Sequence, residues 1–218
     1  MSKIYNILPS IFFNFRYLPI KYAIKFPFMV GWNLKIKNIS KGQILINKPL
    51  KRFSIQIACD TGSPGLQYNK RTMLLGSKNC IIKFNGDAII SNGSTIRCDK
   101  NSTIEFGNKF YCNNNCYIRS NSNIIFGNNC LLGWNVTINS TDGHTILYKD
   151  EEKVSTKPIY IGNRVWIAAY CSLGKGVILN DDIVVAYGSV VINEFKENNI
   201  LIGGVPAKIK SHDISWKY

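Results

Sequence analysis

Acidic residues are scarce in this chain. Its 218 residues include 13 Asp and Glu against 27 Lys and Arg, a formal net charge of +14. This surplus predicts attraction to an anionic partner: nucleic acid, a phosphorylated cofactor, an acidic glycan or a membrane surface. A charged fraction of only 18% excludes a coiled coil or a disordered tail, because both need many more charged residues. The length favours one domain with a sizeable core.

Long apolar runs are also missing. The most apolar stretch, residues 7–30, is interrupted by Arg16, Lys21 and Lys25, and no run approaches the roughly 20 residues that span a bilayer. This stretch lacks the uncharged core and the small-residue cleavage site of a signal peptide. We therefore expect a cytoplasmic protein.

The seven cysteines do not have the spacing of a disulfide framework. Cys80, Cys98 and Cys116 follow one another at intervals of 18 residues, and the same interval separates Cys112 from Cys130. No further cysteine or histidine pair completes a tetrahedral zinc site around Cys112 and Cys116, so no metal is expected. We interpret most of these thiols as small buried side chains.

An internal repeat accounts for the interval. Aliphatic or aromatic residues recur at every sixth position, in the runs Phe84, Ile90, Ile96; Phe106, Cys112, Ile118; Phe126, Leu132, Ile138; and Ile161, Ile167, Leu173, Leu179, Val185, Val191. A period of six fits neither an α-helix nor a simple strand. It fits a chain that forms a short strand, turns and repeats, so that three sixes close a triangular coil of about 18 residues with every sixth residue inward. Asn and Gly between these residues supply the turns.

Several phrases resemble the hexapeptide-repeat acyltransferases, in particular galactoside and maltose O-acetyltransferases. They are Ile104-Glu-Phe-Gly-Asn108, Leu132-Gly-Trp-Asn-Val-Thr-Ile138, Asp142-Gly-His144, Val165-Trp-Ile-Ala168, Tyr187-Gly-Ser-Val-Val191 and Gly203-Gly-Val-Pro-Ala-Lys208. Residues 13–27 resemble the start of acetyltransferases that decorate capsule and lipopolysaccharide. The resemblance covers about residues 82–208 and implies an all-β fold, a left-handed parallel β-helix.

The β-helix is expected over residues 51–206, with a loop excursion at 139–158 and a short C-terminal tail at 207–218. Residues 1–50 lack the six-residue period and are predicted to form a cap segment with a short amphipathic helix that Pro9 breaks or starts. One interpretation of this segment is a cap over the open end of the β-helix. The other is a basic, aromatic surface that brings the protein to a lipid-linked glycan at the inner face of the membrane.

The loop excursion carries His144, one of two histidines in the chain. An insertion in a solenoid maps to a loop on one face, often the binding face, and His144 matches the catalytic histidine of the family. The resemblance implies transfer of an acetyl group from acetyl-CoA to a sugar hydroxyl. A neutral imidazole suits the removal of the hydroxyl proton at neutral pH, so His144 is the candidate general base. Asp142 either orients its ring or only forms a turn.

The resemblance supplies the remaining site residues by position. Asn113 matches the acceptor-binding asparagine, while Trp134 and Trp166 either wall the site or pack between subunits. The donor positions are Ala168, Ala169, Tyr187, Ile192, Asn193 and, at the coenzyme A phosphates, Lys208. The family usually has glycine at Ala168 and a smaller residue at Tyr187, which leaves the acyl-chain length open. Its donor groove lies between subunits, which implies a homotrimer.

Other functions fit the sequence less well. N-acylation of a nucleotide-linked amino sugar is the nearest alternative, although no nucleotide-sugar domain precedes the repeat. A non-catalytic structural β-helix needs neither the loop histidine nor the ending at 206–208. A covalent route through cysteine lacks a cysteine-histidine motif, and buried thiols are inert. No basic helix, zinc finger or RNA-binding signature supports nucleic-acid binding.

Overall fold

Short strands repeat along three faces of a triangular prism in the computed structural model of this chain, which describes residues 3–47, 50–59, 71–149 and 151–217. In chain order the strands are β1 (Phe28–Val30), β2 (Leu34–Lys37), β3 (Ile44–Ile46), β4 (Ile55–Ile57), β5 (Thr72–Leu75), β6 (Ile81–Phe84), β7 (Ala88–Ile90), β8 (Thr95–Cys98), β9 (Thr103–Phe106), β10 (Phe110–Cys112), β11 (Tyr117–Ser120), β12 (Asn123–Phe126), β13 (Leu131–Leu132), β14 (Thr137–Asn139), β15 (Ile146–Tyr148), β16 (Glu151–Lys153), β17 (Ile159–Ile161), β18 (Trp166–Ile167), β19 (Ser172–Leu173), β20 (Ile178–Leu179), β21 (Val184–Val185), β22 (Val190–Val191), β23 (Leu201–Gly204) and β24 (Ala207–Ser211).

Each face of the prism is one sheet whose strands come from successive coils. Sheet A has the order β1-β4-β7-β10-β13-β18-β21-β23-β24, sheet B the order β2-β5-β8-β11-β14-β19-β22, and sheet C the order β3-β6-β9-β12-β17-β20. All neighbours except β23 and β24 pair in parallel, so that Ile118 lies opposite Ile96 on one side and Ile138 on the other. The fold is a left-handed parallel β-helix, and the predicted all-β fold class is confirmed.

The core includes all the residues predicted to point inward from the six-residue period. All fifteen of them are buried, with at most 3% of each residue exposed. Equivalent positions of successive coils carry similar side chains that stack on one another. The ring centroids of Phe84 and Phe106 lie 5.1 Å apart, and those of Phe106 and Phe126 lie 5.6 Å apart with nearly parallel rings. Close packing of this kind is what makes the inward position intolerant of polar residues, so the period is visible in the sequence.

The prism begins earlier than the predicted residue 51. Strands β1, β2 and β3 lie within residues 1–50 and pair in parallel with β4, β5 and β6. The predicted boundary is wrong because the turns of this first coil differ in length: Val30 and Ile36 keep the spacing of six, but the next strand of the coil ends ten residues later at Ile46. The cap therefore consists of a 3-10 turn (Lys3–Asn6) and two helices, α1 (Ile7–Tyr17) and α2 (Ile20–Ala23). Pro9 lies in the first turn of α1, where a missing N–H costs little.

Helix α1 closes the open end of sheet A with two buried polar side chains. The Asn14 amide donates to the carbonyl oxygen of Phe28 (2.8 Å) and accepts from its N–H (3.2 Å). The Ser10 hydroxyl accepts from the N–H of Val30 (2.9 Å). These bonds pair the edge of β1, which would otherwise present unpaired backbone groups. These hydrogen bonds support the cap interpretation, which stays a prediction. No helix among the described residues has both the length and the apolar character needed to cross a membrane.

The C-terminal segment is not the free tail that was predicted from residue 207. Strand β24 pairs antiparallel with β23 and becomes the last strand of sheet A. Beyond it, the Trp216 indole donates to the carbonyl oxygen of Arg164 (2.8 Å), and its ring lies 6.0 Å from that of Trp166. The segment forms a strand because β23 would otherwise end sheet A with unpaired backbone N–H and C=O groups. The antiparallel strand β24 supplies hydrogen-bond partners for these groups.

Candidate functional site

A groove of about 530 Å³ crosses the outer surface of sheet A in its later coils. The lining is mostly apolar, with Leu131, Val184 and Leu201 among the residues that form it. Six residues predicted for the site line it as well: Asn113, Trp134, Trp166, Ala168, Ala169 and Tyr187. The structure therefore brings together the asparagine predicted to bind the acceptor, both tryptophans and three predicted donor positions, which the sequence places up to 74 residues apart.

Backbone hydrogen bonds between coils stack these residues in columns at the edge where sheet A turns into sheet B. The N–H of Gly133 donates to Ile167 (2.8 Å), and the N–H of Ala168, in the position equivalent to Gly133 one coil later, donates to Val185 (3.0 Å). A Cβ on Gly133 would lie 2.5 Å from the backbone nitrogen of Ala169. Glycine at 133 is thus required for the coils to approach, and small residues along this column keep the groove open.

The residues at 168 and 187, which depart from the family pattern, leave the groove in place. Tyr187 is 66% exposed, and its ring lies 5.3 Å from that of Tyr170. Tyr187 lines the groove, and Tyr170 packs against its ring. The sequence did not identify Tyr170, because its turn position, with a backbone φ of +61°, usually takes Asn or Gly.

Three predicted donor residues lie outside the groove of a single chain. Ile192 and Asn193 are exposed and follow β22 on sheet B. Lys208 is exposed on β24, opposite Gly203, one strand beyond the groove residue Leu201. Of the three, only Lys208 shares a sheet with the groove.

His144 is exposed in the loop excursion, which the structure describes as a turn followed by the hairpin of β15 and β16. Two contacts fix the base of the loop: the N–H of Asp142 donates to Ser155 (2.8 Å), and the hydroxyl of Thr156 lies 3.2 Å from that of Thr141. Gly143, at φ +84°, then turns the chain so that His144 follows directly at the surface.

Asp142 does not act on His144 in this structure. Its carboxylate forms an ion pair with the Lys175 ammonium group, which also donates to the carbonyl oxygen of Val154 (2.7 Å). Within the described parts of the chain, no hydrogen bond or ion pair joins Asp142 to the imidazole. Asp142 and Lys175 therefore fasten the loop instead.

Sequence reasoning missed Lys175, although the strand register contains a signal for it. Ile138 pairs with Leu173, so residue 175 occupies in its coil the corner at which residue 140 leaves the previous one. A single lysine between Gly174 and Gly176 at that corner lies beneath the loop excursion and can reach a carboxylate above it.

The loop excursion and the groove lie at different edges of the prism. Asn113 lies where sheet A turns into sheet B, whereas the loop starts after β14, where sheet B turns into sheet C. The width of sheet B separates them, and four-residue strands such as β11 make that width about 13 Å. No residue of the described loop lines the groove.

The thiols offer no alternative nucleophile at this site. Six of the seven cysteines are buried in the prism, and all seven are free. Burial raises the pKa of the Cys130 thiol to about 12 and also raises that of Cys171, which keeps both protonated. A hydrogen bond from Cys98 lowers the pKa of Cys80 to about 6, but this sulfur is enclosed in the early coils and is not among the residues that line the groove.

Comparison with known proteins agrees with the resemblance inferred from the sequence. No protein-family model matches the chain. Over 82 residues it is 37% identical to the galactoside O-acetyltransferase of Escherichia coli (strain K12), an alignment that covers 36% of this chain and 39% of that protein. The matched part is thus well under half of the curated relative, and the resemblance to hexapeptide-repeat acetyltransferases is confirmed over that part.

Two solved structures are similar over most of their length. The polySia specific acetyltransferase NeuO aligns with a TM-score of 0.50 and 20% identity, over 85% of this chain and 89% of that one. The polysialic acid O-acetyltransferase OatWY aligns with a TM-score of 0.46 and 25% identity, over 87% of this chain and 92% of that one. The first of these likenesses supports the fold described above.

Proposed function

We propose that this protein is an O-acetyltransferase that moves an acetyl group from acetyl-CoA to a sugar hydroxyl of a capsule or lipopolysaccharide glycan, or of its precursor. The observation that carries the proposal is the groove on sheet A, because six residues expected from the resemblance line it together. The sequence similarity to a galactoside O-acetyltransferase supports the same chemistry and an acceptor that is a sugar.

His144 acts as general base in a direct transfer. Its neutral imidazole takes the proton of the sugar hydroxyl as that oxygen attacks the thioester carbonyl. The tetrahedral intermediate collapses to the acetyl ester and releases the coenzyme A thiolate, which takes the same proton back from the imidazolium. Each proton and electron pair is accounted for without a metal or a covalent enzyme intermediate.

Asn113 and the tryptophans position the acceptor. The Asn113 side-chain oxygen accepts a hydrogen bond from the N–H of Asn114 (2.8 Å), which holds the amide at the mouth of the groove. An amide both donates to and accepts from hydroxyl groups, as sugar recognition requires. Trp134 and Trp166 give the flat apolar surface on which a sugar ring or the pantetheine arm can pack.

The donor follows the apolar groove. Backbone groups at Ala168 and Ala169 face the pantetheine arm beside Tyr187, Ile192 and Asn193 lie along its outward course, and Lys208 meets the coenzyme A phosphates. The position of Lys208 on the last strand of sheet A, one strand beyond the groove residue Leu201, supports this assignment. Because acetyl-CoA is a cytoplasmic metabolite, the protein works in the cytoplasm, at the inner face of the membrane if its glycan is lipid-linked.

The active unit is a homotrimer. In one chain the base and the groove lie on different edges of the prism, about 13 Å apart across sheet B. Prisms packed side by side around a threefold axis bring the loop edge of one copy against the groove edge of the next. Each site then takes Asn113 from one copy and His144 from its neighbour.

The product distinguishes this function from N-acylation of an amino sugar. Candidate glycans and nucleotide-linked amino sugars are incubated with the protein and acetyl-CoA and then analysed by mass spectrometry. We expect a gain of one acetyl group that mild base removes, since an ester is base-labile and an amide is not. A base-stable acetyl group would establish the N-acyltransferase alternative, and no transfer to any sugar would refute the proposal.

Lys208→Ala is expected to raise the KM for acetyl-CoA about tenfold and to leave kcat nearly unchanged, because a charged hydrogen bond to phosphate is lost far from the reacting carbonyl. Steady-state kinetics at varied acetyl-CoA test this. The matched control is Lys21→Ala combined with Lys25→Ala, which removes two cations from the cap and should leave KM as in the parent. An equal rise in KM in the control would assign the effect to overall charge.

A further inference from the structure

The cap helix has a second apolar side that nothing in the described chain covers. Exposed large apolar side chains follow one another on α1, on α2 and directly after α2, and we call them the docking face: Leu8, Ile11, Phe12, Phe15, Ile20 and Ile24. The exposed fractions of Leu8, Phe12 and Ile20 reach 69%, 67% and 63%. Contiguous apolar surface of this kind usually marks an interaction site.

Closing the β-helix does not require the docking face. The side of α1 that meets β1 consists of Ser10, Phe13 and Asn14, which are buried. A helix that served only as a cap would have polar residues on its opposite side. The exposed rings and aliphatic chains therefore need a separate explanation.

The charged residues of the segment that carries the docking face are all basic. Residues 1–59 contain ten Lys and Arg and no Asp or Glu, so the first acidic residue of the chain is Asp60. Arg16, Lys21 and Lys25 are exposed on the cap itself, and none of them forms an ion pair within the described residues. Apolar residues bordered by cations that form no ion pair within the described residues are typical of a helix that lies in the interface of an anionic bilayer.

We propose that the docking face binds the surface of an anionic phospholipid bilayer. Leu8 and Phe12, with their apolar neighbours, enter the boundary between headgroups and acyl chains, and Arg16, Lys21 and Lys25 meet lipid phosphates. A second copy of this chain is the less favourable occupant, because a twofold contact through the same face would place two sets of unpaired cations against each other.

The orientation fits the proposed function, on which this step rests. The docking face lies beyond the β1 end of sheet A, and the groove starts after β10, three coils further on. At a coil spacing of about 4.8 Å plus a helix about 10 Å thick, the groove stands roughly 25 Å from the bilayer. A glycan that extends several sugars from the membrane reaches that height, whereas a sugar attached directly to the lipid does not.

Flotation of the full-length protein with vesicles tests the proposal. We use phosphatidylcholine vesicles with and without 30% phosphatidylglycerol at low salt. The parent should float with the anionic vesicles and remain unbound with phosphatidylcholine alone. Leu8→Ser with Phe12→Ser should lower the partition coefficient at least about tenfold, and so should Lys21→Gln with Lys25→Gln. The matched controls are Tyr160→Ser, an exposed ring on sheet C, and Lys196→Gln with Lys217→Gln; both should float as the parent does.

Each other outcome overturns the proposal. Failure of the parent to float with anionic vesicles removes the membrane contact, as does unchanged flotation of both cap variants. If Leu8→Ser with Phe12→Ser lowers the molar mass in light scattering, the docking face is a contact between copies. Acetyl transfer to a soluble acceptor is measured alongside and should be the same in parent and cap variants, so that a failure of the proposed function appears separately.

Discussion

Replacing His144 with alanine should lower the turnover number for acetyl transfer by about 10³-fold while the protein keeps its fold and its oligomeric state. The imidazole is exposed on a surface loop and forms no hydrogen bond or ion pair with another described residue, so its loss removes chemistry rather than packing. Turnover of a sugar acceptor with acetyl-CoA measures the loss, and thermal unfolding followed by circular dichroism checks the fold.

The matched control for this prediction is His212→Ala. His212 is also exposed, but its Nδ1 lies 3.2 Å from the Glu197 carboxylate, and His212 is not among the residues that line the groove. We expect parental activity from this variant. If His144→Ala kept activity within about tenfold of the parent, general-base catalysis by this residue would be excluded.

The coils of the prism could be predicted from the sequence where burial determines which residue type an inward position accepts. Phe106, Cys112 and Ile118 are enclosed as expected, because an inward position between tightly stacked coils tolerates only a side chain of suitable volume. The first coil was missed for the opposite reason. Its turns at the surface are under no such constraint, and their variable length hides the period between Ile36 and Ile46.

Individual residues of the candidate site could be predicted from the sequence, but their relative positions in space could not. Asn113 and Trp134 could be predicted from the resemblance to the acetyltransferase family, and both line the groove in the structure. Lys175 pairs with Asp142, which lies 33 residues earlier in the chain. Whether these two residues meet depends on how the loop excursion interrupts the register of the coils. The separation of His144 from the groove likewise follows from which edge the loop leaves, a property of the folded prism that no local pattern encodes.

Co-expression of two inactive variants should restore much of the activity if the site forms between copies. His144→Ala lacks the base, and Asn113→Ala, which removes the proposed acceptor contact, should lose about 10²-fold by itself. In randomly assembled trimers of equal amounts, a site that draws Asn113 from one copy and His144 from the next is intact in about a quarter of cases. Activity should therefore rise to about a quarter of the parental value, far above either variant alone.

A second co-expression serves as the control for this experiment. Co-expression of His144→Ala with a chain carrying both substitutions supplies no imidazole to any site and should stay inactive. A site assembled within a single chain would lose a residue in every copy of the first mixture, so activity would remain at the level of the separate variants. That result would mean the loop crosses sheet B within its own prism. Recovery instead means that the roughly 13 Å across sheet B is closed by a neighbour, which makes assembly itself a requirement for catalysis.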